Sequence, residues 1–365
     1  MRKIAAIGFC LMATLLMTGC FGGMEVNDRA FVQLMGLEYQ DDVYIVSLQI
    51  YKSESGSSEA DVSKANSIAV SGEGATVSSA LADAELKTGR KLFLGHIKAL
   101  IIGSGIRNPS DELALFTDGR ISPSCPVVYS DDPASVTETL LEEGSFSAEQ
   151  FLNIMHAYAS QGKTVYTSLA DVASQTGVMD CGAALPWVFA DKNERSLRFD
   201  GLVFADRNGT FGYLSDEDVF GVKLLENKFE SGDEITVPIA VNGRKASAVI
   251  TGAKTCLKTE FSDGQLRITA DINIKMRTAE NPYGIIDETV EKAVRESVRD
   301  SCTSAFSTAV WYNSCDIFGI KKLVRRDCPD LYGEYCSDSR RYLSESILTV
   351  RVTFSDKNRG SENRG

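Results

Sequence analysis

Few side chains in this sequence could act as acids, bases or nucleophiles. Histidine occurs only as His96 in "LGHIKALII" and His156 in "FLNIMHAYA". No G-x-S-x-G, H-E-x-x-H or Walker-type phosphate motif accompanies them. The acidic stretch Ser215–Gly221 ("SDEDVFG") could bind a cation or hold a carboxylate pair, but charge runs of this kind usually lie in solvated turns. We interpret both histidines as structural. We therefore predict no catalytic residue, no cofactor and no enzymatic activity.

The cysteines do not form a recognisable framework. Cys10 and Cys20 lie near the start of the chain, and no C-x-x-C pair occurs anywhere. An odd number remains, so at least one is unpaired: Cys125, Cys181, Cys256, Cys302, Cys315, Cys328 and Cys336. Zinc bound by the last three would lack the usual spacing and histidine partners. Free thiols are the preferred interpretation, no metal site is predicted, and the pairing state stays open.

Cys20 is the one cysteine with a clear chemical context. Arg2 and Lys3 form a basic start, Ile4–Leu16 is almost wholly apolar, and Leu16-Met17-Thr18-Gly19-Cys20 follows. The apolar run is too short to span a bilayer but suits a secretory leader. Its end resembles a bacterial lipobox, in which the cysteine is diacylated and becomes the new N-terminus. We predict a signal peptide at 1–19 and lipidation at Cys20; the alternative is an ordinary cleaved signal followed by a chance cysteine.

The charge of the chain bears on its partners. Over 365 residues the net charge is −12, with 43% hydrophobic and 24% charged residues. An acidic chain repels phosphates, so nucleic acid is excluded as a partner. For the same reason, we expect membrane attachment to come from the lipid and from partners rather than from a basic patch.

The elements that must position these residues are of mixed type. In the N-terminal half, the sequence pattern predicts a strand at Val43–Tyr51, a polar loop at Lys52–Ser67 and a helix between an N-cap at Thr76 and a stop at Gly89. A strand in "HIKALIIG" follows, and the pattern is helical again from Ser145 to about Ser174. The C-terminal half predicts hairpins at Asn208-Gly209, Asn242-Gly243 and Asp263-Gly264, a long helix at Ile286–Trp311 and a last strand in "SILTVRVTF".

These elements predict a multi-domain α+β protein with mixed or antiparallel sheets and helices packed on them. An N-terminal α+β region covers 20–195 and is divisible into subdomains 24–106 and 107–195. A C-terminal α+β domain covers 199–356, a meandering sheet with one long helix, and a polar tail covers 357–365.

Several segments resemble the C-subunit family of spore germination receptors, the Ger(x)C lipoproteins. "EVNDRAFVQLMGLEYQDDVYIVSLQIY" is similar to the family's start, and "TGRKLFLGHIKALIIG" to its most recognisable segment. "ALPWVF", "GLVFADRNGTFGYLSDEDVFGVKLLENK" and "SCDIFGIKKLVRRDCPDLY" follow in family order. The resemblance covers nearly the whole chain after Cys20. Residues that match family motifs, with a structural or partner-contact role, are Asp28, Arg90, Gly95, His96, Asp316 and Gly319.

The resemblance implies a non-enzymatic receptor subunit. It would be anchored by its lipid on the outer face of the spore inner membrane, and would act with the A and B membrane subunits so that the spore responds to nutrients. Whether this subunit itself contacts the nutrient stays open. The loop at Lys52–Ser67 and the Ser215–Gly221 turn are our hypotheses for the partner-facing surface.

Two rival functions share some of these features. A solute-binding lipoprotein of an ABC transporter would share the anchor and length, but should show longer alternating βα units than the hairpin-rich C-terminal half. An anchored hydrolase would need a nucleophile with a base or a metal set, which the sequence does not supply.

Overall fold

The computed structural model describes residues 29–51, 67–106, 109–114, 116, 119–139, 148–178, 181–191, 196–241, 243–281 and 287–355. Cys20 with its leader, Asp28 and the polar tail lie outside these ranges, as does the predicted loop except for Ser67. No helix among the described residues is long and apolar enough to cross a membrane.

The first sheet has nine strands and a parallel centre. The strands are β1 (Arg29–Gln40), β2 (Val43–Tyr51), β3 (Ser67–Gly74), β4 (Lys91–Phe93), β5 (Ala99–Ile102), β6 (Val127–Tyr129), β7 (Ala183–Asp191), β8 (Ser196–Asp206) and β9 (Gly209–Leu214). Their order is β3-β2-β1-β5-β6-β7-β8-β9, and the short β4 pairs with the start of β1. β1 runs parallel to β4 and β5, and the parallel pairing continues through β6 to β7, whereas both edges are antiparallel.

Helices cover both faces of this sheet. The helices of this half are α1 (Val77–Thr88), α2 (Pro109–Ala114), α3 (Pro133–Thr139), α4 (Ala148–Ser160) and α5 (Leu169–Val172), which continues as a π-helical turn at Ala173–Val178. α1 begins after the Thr76 capping box and ends at Gly89, which adopts a left-handed conformation; the sequence predicts both limits. α1 packs into one apolar core with β1 and β2, whereas α3 and α4 pack into a second core on the opposite face.

The predicted helical stretch from Ser145 to Ser174 is wrong in its middle. Gly162 has a φ of 73°, and the chain after α4 is extended where Val127 donates its N–H to the Thr167 carbonyl. A bridge between Pro126 and Ser168 completes this pairing. Pairing with a distant segment therefore interrupts the helical pattern, which a local periodicity does not reveal.

The second sheet is smaller and carries the long helix. Its strands are β10 (Ile235–Val241), β11 (Arg244–Ser262), β12 (Gln265–Glu280) and β13 (Ile347–Phe354). They lie in the order β10-β11-β12-β13; the first three strands form antiparallel hairpins, and β13 returns parallel to β12. The helices are α6 (Val219–Leu225), α7 (Asp287–Phe306), which continues as a π-helical turn at Ser307–Tyr312, α8 (Ile320–Asp327), α9 (Tyr332–Ser337) and α10 (Ser339–Ser344).

The predicted long helix is present from Asp287, and the three predicted hairpins are present; Ile286 and the turn residue Asn242 lie outside the described residues. At the β11–β12 turn, Asp263 and Gly264 have φ values of 53° and 75°, the left-handed pair that a tight hairpin needs. α7 buries Val290, Val294 and Val298 on one side, facing the second sheet. The α+β fold class is confirmed: mixed sheets with helices packed on them, and a meandering C-terminal sheet with one long helix.

The largest core joins the two halves. It contains the second sheet and α7, and also Ala184, Leu202, Phe204 and Leu214 from β7, β8 and β9. The first sheet thus continues across the predicted boundary at 195–199 to Leu214, while the same strands pack against the C-terminal half. The domain boundaries stay predictions.

Candidate functional site

The Arg90–His96 motif lies beside the first residues of β1. Register pairs Arg29 with Lys91 and Phe31 with Phe93, so equivalent side chains of β1 and β4 lie side by side. The ring of Phe93 lies 5.5 Å from that of Phe31, and His96 contacts both rings at 5.4 and 5.6 Å. The guanidinium of Arg29 lies 5.3 Å from the centre of Phe93, a cation–π contact. We call Arg29, Phe31, Arg90, Phe93 and His96 the β4 patch.

The β4 patch is a surface rather than a buried site. Arg90, Gly95 and His96 are exposed, and Phe31 and Phe93 are half-buried. A Cβ on Gly95 would lie 2.9 Å from Cζ of Phe93, so glycine lets the ring lie against the backbone there. The Lys91 ammonium forms an ion pair with the Glu85 carboxylate at 2.5 Å. The aromatic rings and the two arginines therefore remain at the surface.

Asp316 is buried and caps a helix. Its carboxylate accepts hydrogen bonds from the backbone N–H groups of Ile320 at 2.6 Å and Lys321 at 2.8 Å, and from the Cys181 thiol at 3.5 Å. Gly319, with a φ of 70°, turns the chain into α8. Burial raises the pKa of Asp316, and the backbone donors offset this in part. This carboxylate is occupied in ordering the start of α8.

The same region joins the two halves of the chain. The N–H of Gly182 donates to the Asp316 carbonyl at 3.0 Å, directly before β7 begins. A Cβ on Gly182 would lie 2.1 Å from Sγ of Cys315, so glycine is needed for this close approach. We call Cys181, Gly182, Cys315 and Asp316 the junction cluster.

Two cavities flank the junction cluster. One of about 580 Å³ lies between the β8–β9 turn and the C-terminal helices, with Arg207, Lys321 and Arg340 on its walls. The other, of about 410 Å³, lies between the π-helical turn after α5 and α8, and includes Glu226, Lys228 and Gln175. Glu226 is buried beside Lys228 at 3.2 Å, and burial raises its pKa.

A buried ion pair forms a second link between the halves. Lys223 of α6 lies 2.8 Å from Asp233, with both side chains less than a tenth exposed. Its ammonium also donates to the Ala159 carbonyl at the end of α4, at 2.6 Å. Asp233 in turn accepts the Glu230 N–H at 2.6 Å. The pair fixes the segment before β10 against the first half.

The other chemistry-bearing groups of the described residues lie in structural surroundings. The seven described cysteines are free thiols, and burial raises the pKa of Cys125 and of Cys302 to about 12. No group of three or more His, Cys, Asp or Glu side chains in the described ranges is placed to hold a metal ion. In the Ser215–Gly221 turn, Asp216 pairs with Lys163 at 2.8 Å. His156 stacks on Tyr166.

The sequence-predicted motif residues form two separate groups. Arg90, Gly95 and His96 lie at β1 and β4, whereas Asp316 and Gly319 lie at the start of β7, and β5 and β6 separate these positions in the sheet. Cys181 and Gly182 were missed, because only long-range packing shows their role. Sequence reasoning also did not predict that Arg29 and Phe31 belong to the β4 patch. The i, i+2 spacing of these two residues, which puts them on one face of β1, is the sequence signal that could have shown it.

The fold and these two sites define a two-sheet α+β protein in which one group of motif residues caps a helix and the other lies exposed at β4. Comparison with known proteins identifies its family. The model of the spore germination protein N-terminal domain matches residues 22–187, and that of the spore germination B3/GerAC-like C-terminal domain matches residues 200–357. The chain belongs to this family of germinant receptor C subunits.

Individual relatives are distant but cover most of the chain. Spore germination protein KC of Bacillus subtilis (strain 168) is 21% identical, with 96% of this chain and 94% of that protein covered. Putative spore germination protein YfkR of the same strain is 21% identical over 79% of this chain and 80% of its own length. The crystal structure of the GerBC protein matches with a TM-score of 0.58 at 14% identity, covering 88% of this chain and 96% of that one, which confirms the fold.

Proposed function

We propose that this chain is the lipid-anchored C subunit of a nutrient germinant receptor and acts through protein–protein contacts rather than catalysis. The observation that carries the proposal is the match of both family domains, in order, over residues 22–187 and 200–357. These matches begin directly after a leader that ends in a lipobox-like cysteine. The family assignment also favours this function over a solute-binding lipoprotein of an ABC transporter.

The proposed location is the outer face of the spore inner membrane, with the A and B membrane subunits as partners. Two acyl chains on Cys20 would give a stable anchor, since one chain alone binds membranes only marginally. Of the described motif residues, Asp316 and Gly319 order the start of α8, whereas Arg90, Gly95 and His96 are exposed, which suits a subunit that presents a surface to partners. A role in the nutrient response follows if those surfaces engage the membrane subunits.

Substitution of the anchor cysteine tests this proposal. Cys20→Ala should leave the chain unprocessed or unanchored, so that it is lost from the spore membrane fraction and nutrient germination is impaired. Cys10→Ala, in the same leader but outside the lipobox, is the matched control and should retain membrane association and germination. Normal membrane retention and germination of Cys20→Ala spores would contradict the proposal.

A further inference from the structure

We propose that the β4 patch docks on the anionic lipid headgroups next to the anchor and sets the orientation of the protein on the membrane. The inference rests on the proposed lipid anchor. It replaces the expectation from net charge that no basic patch contributes to attachment. A net charge of −12 averages over the whole chain and does not describe one edge of a sheet.

The composition of the β4 patch is that of a membrane-interface surface. It combines two arginines with half-buried phenylalanine rings and an exposed histidine. Phenylalanine and leucine side chains beside basic residues are the combination found on protein segments that bind in the membrane interface. Leu86, which is 83% exposed, follows Glu85, the residue that pairs with Lys91, and is an exposed apolar side chain of the same helix.

The β4 patch is positively charged although the chain is acidic. Its charged residues are Arg29 and Arg90, and the nearby lysines and carboxylates pair with each other: Glu85 with Lys91 at 2.5 Å, and Glu149 with Lys98 at 3.6 Å. The two guanidinium groups therefore form the cationic part of the patch. Each basic residue near an anionic surface contributes about 1 kcal/mol, or roughly fivefold in partition.

The anchor would hold this edge close to the bilayer. Cys20 precedes Arg29 by nine positions, so the connecting chain spans at most about 30 Å. β1 begins at Arg29, and the β4 patch surrounds that point. The tether therefore presents the β4 patch to the membrane at high effective concentration, and the acidic remainder of the surface is repelled from it.

Hydrogen–deuterium exchange of the lipidated full chain on vesicles tests the inference. One vesicle type is phosphatidylcholine alone, and the other contains about one-third phosphatidylglycerol. We expect backbone amides of residues 90–96 to be protected on the anionic vesicles only, and protection to fall when salt is raised to about 0.5 M. Arg29→Gln and Arg90→Gln should each reduce protection about fivefold. Arg244→Gln, an exposed arginine of the second sheet, is the matched control and should change nothing.

The outcomes separate this inference from the proposed function. Equal exchange of residues 90–96 on both vesicle types, or no effect of the two arginine substitutions, would overturn lipid docking. Protection that appears only when the membrane subunits are present would also overturn it and would assign the β4 patch to a protein partner. If the expressed full chain carries no lipid and floats with neither type of vesicle, the Cys20 anchor is absent, which contradicts the proposed function rather than lipid docking. Circular dichroism melting curves of the variants should match those of the parent, so that lost protection reports binding.

Discussion

Asp316→Ala should destabilise both halves of the protein, because this carboxylate caps α8 and lies against the start of β7. The substitution removes the acceptor for the N–H groups of Ile320 and Lys321 and for the Cys181 thiol. The N–H of Ile320 is buried and would find no solvent partner. Loss of these hydrogen bonds should therefore destabilise both the start of α8 and the junction cluster.

The size of the effect follows from these contacts. Hydrogen bonds to a charged acceptor are worth about 1.5–3 kcal/mol each, and loss of a capping side chain alone costs about 0.5–2 kcal/mol. Burial of the carboxylate is unfavourable, as its raised pKa shows, and the substitution also removes this cost. We expect a net loss of about 2–4 kcal/mol in the free energy of unfolding. Asp316→Asn keeps one carbonyl acceptor and should lose about half as much.

The two tryptophans make the assay specific for each half. Trp187 lies in β7 of the first sheet, and Trp311 follows α7 and donates to the Ser346 carbonyl at 3.0 Å. Urea unfolding of Trp187→Phe and Trp311→Phe backgrounds then reports each half separately by fluorescence. The Asp316→Ala midpoint should fall in both backgrounds.

The refuting results are distinct. A change in the free energy of unfolding below about 0.5 kcal/mol in both tryptophan backgrounds would mean that Asp316 orders neither α8 nor the junction cluster. A fall reported by Trp311 alone would keep the helix-capping role and contradict the link between the halves.

Three further substitutions test other contacts. Lys223→Met leaves the buried Asp233 carboxylate without its cation and should lower the free energy of unfolding, measured in urea, by about 3–5 kcal/mol. Adding Asp233→Asn should recover at least half of this loss. An equal loss in the double variant would contradict the ion pair. A hydrogen bond from Arg326 lowers the pKa of Asp327 to about 2. The Asp327 carboxylate therefore contributes fully to the free energy of unfolding above its unfolded-state pKa near 4, and this contribution is lost as pH falls through 2. Asp327→Asn should thus cost about 1 kcal/mol at pH 6 and almost nothing at pH 2, and a pH-independent difference would refute this. Gly182→Ala should cost about 1–3 kcal/mol by overlap with the Cys315 sulfur, and Cys315→Ala in the same chain should relieve it; no relief would place the strain elsewhere.

The local signals in the sequence predicted the elements but not how they pair. The Asp263-Gly264 turn and the Thr76 cap are encoded within a few residues, so sequence reasoning finds them. The parallel pairing of β1 with β5 and of β12 with β13 joins distant segments, and no local pattern records it. The return of β8 and β9 to the first sheet is missed for the same reason.

The candidate sites show the same limit. Family resemblance marked His96 and Asp316, but gave no surroundings for them. That His96 lies on the rings of Phe31 and Phe93, and that Asp316 accepts from Cys181, depends on contacts between distant parts of the chain. Family resemblance therefore identified the motif residues, and tertiary structure showed that one group forms a surface and the other a buried junction.

The most direct test of the central claim is germination of spores that lack this gene, followed by loss of refractility across a panel of amino acids and sugars. A non-nutrient trigger that bypasses the receptors is the control. A receptor subunit predicts loss of the response to some nutrients while the bypass trigger still works. An unchanged response to every nutrient, in spores that lack the other receptors as well as in spores that retain them, would contradict the account.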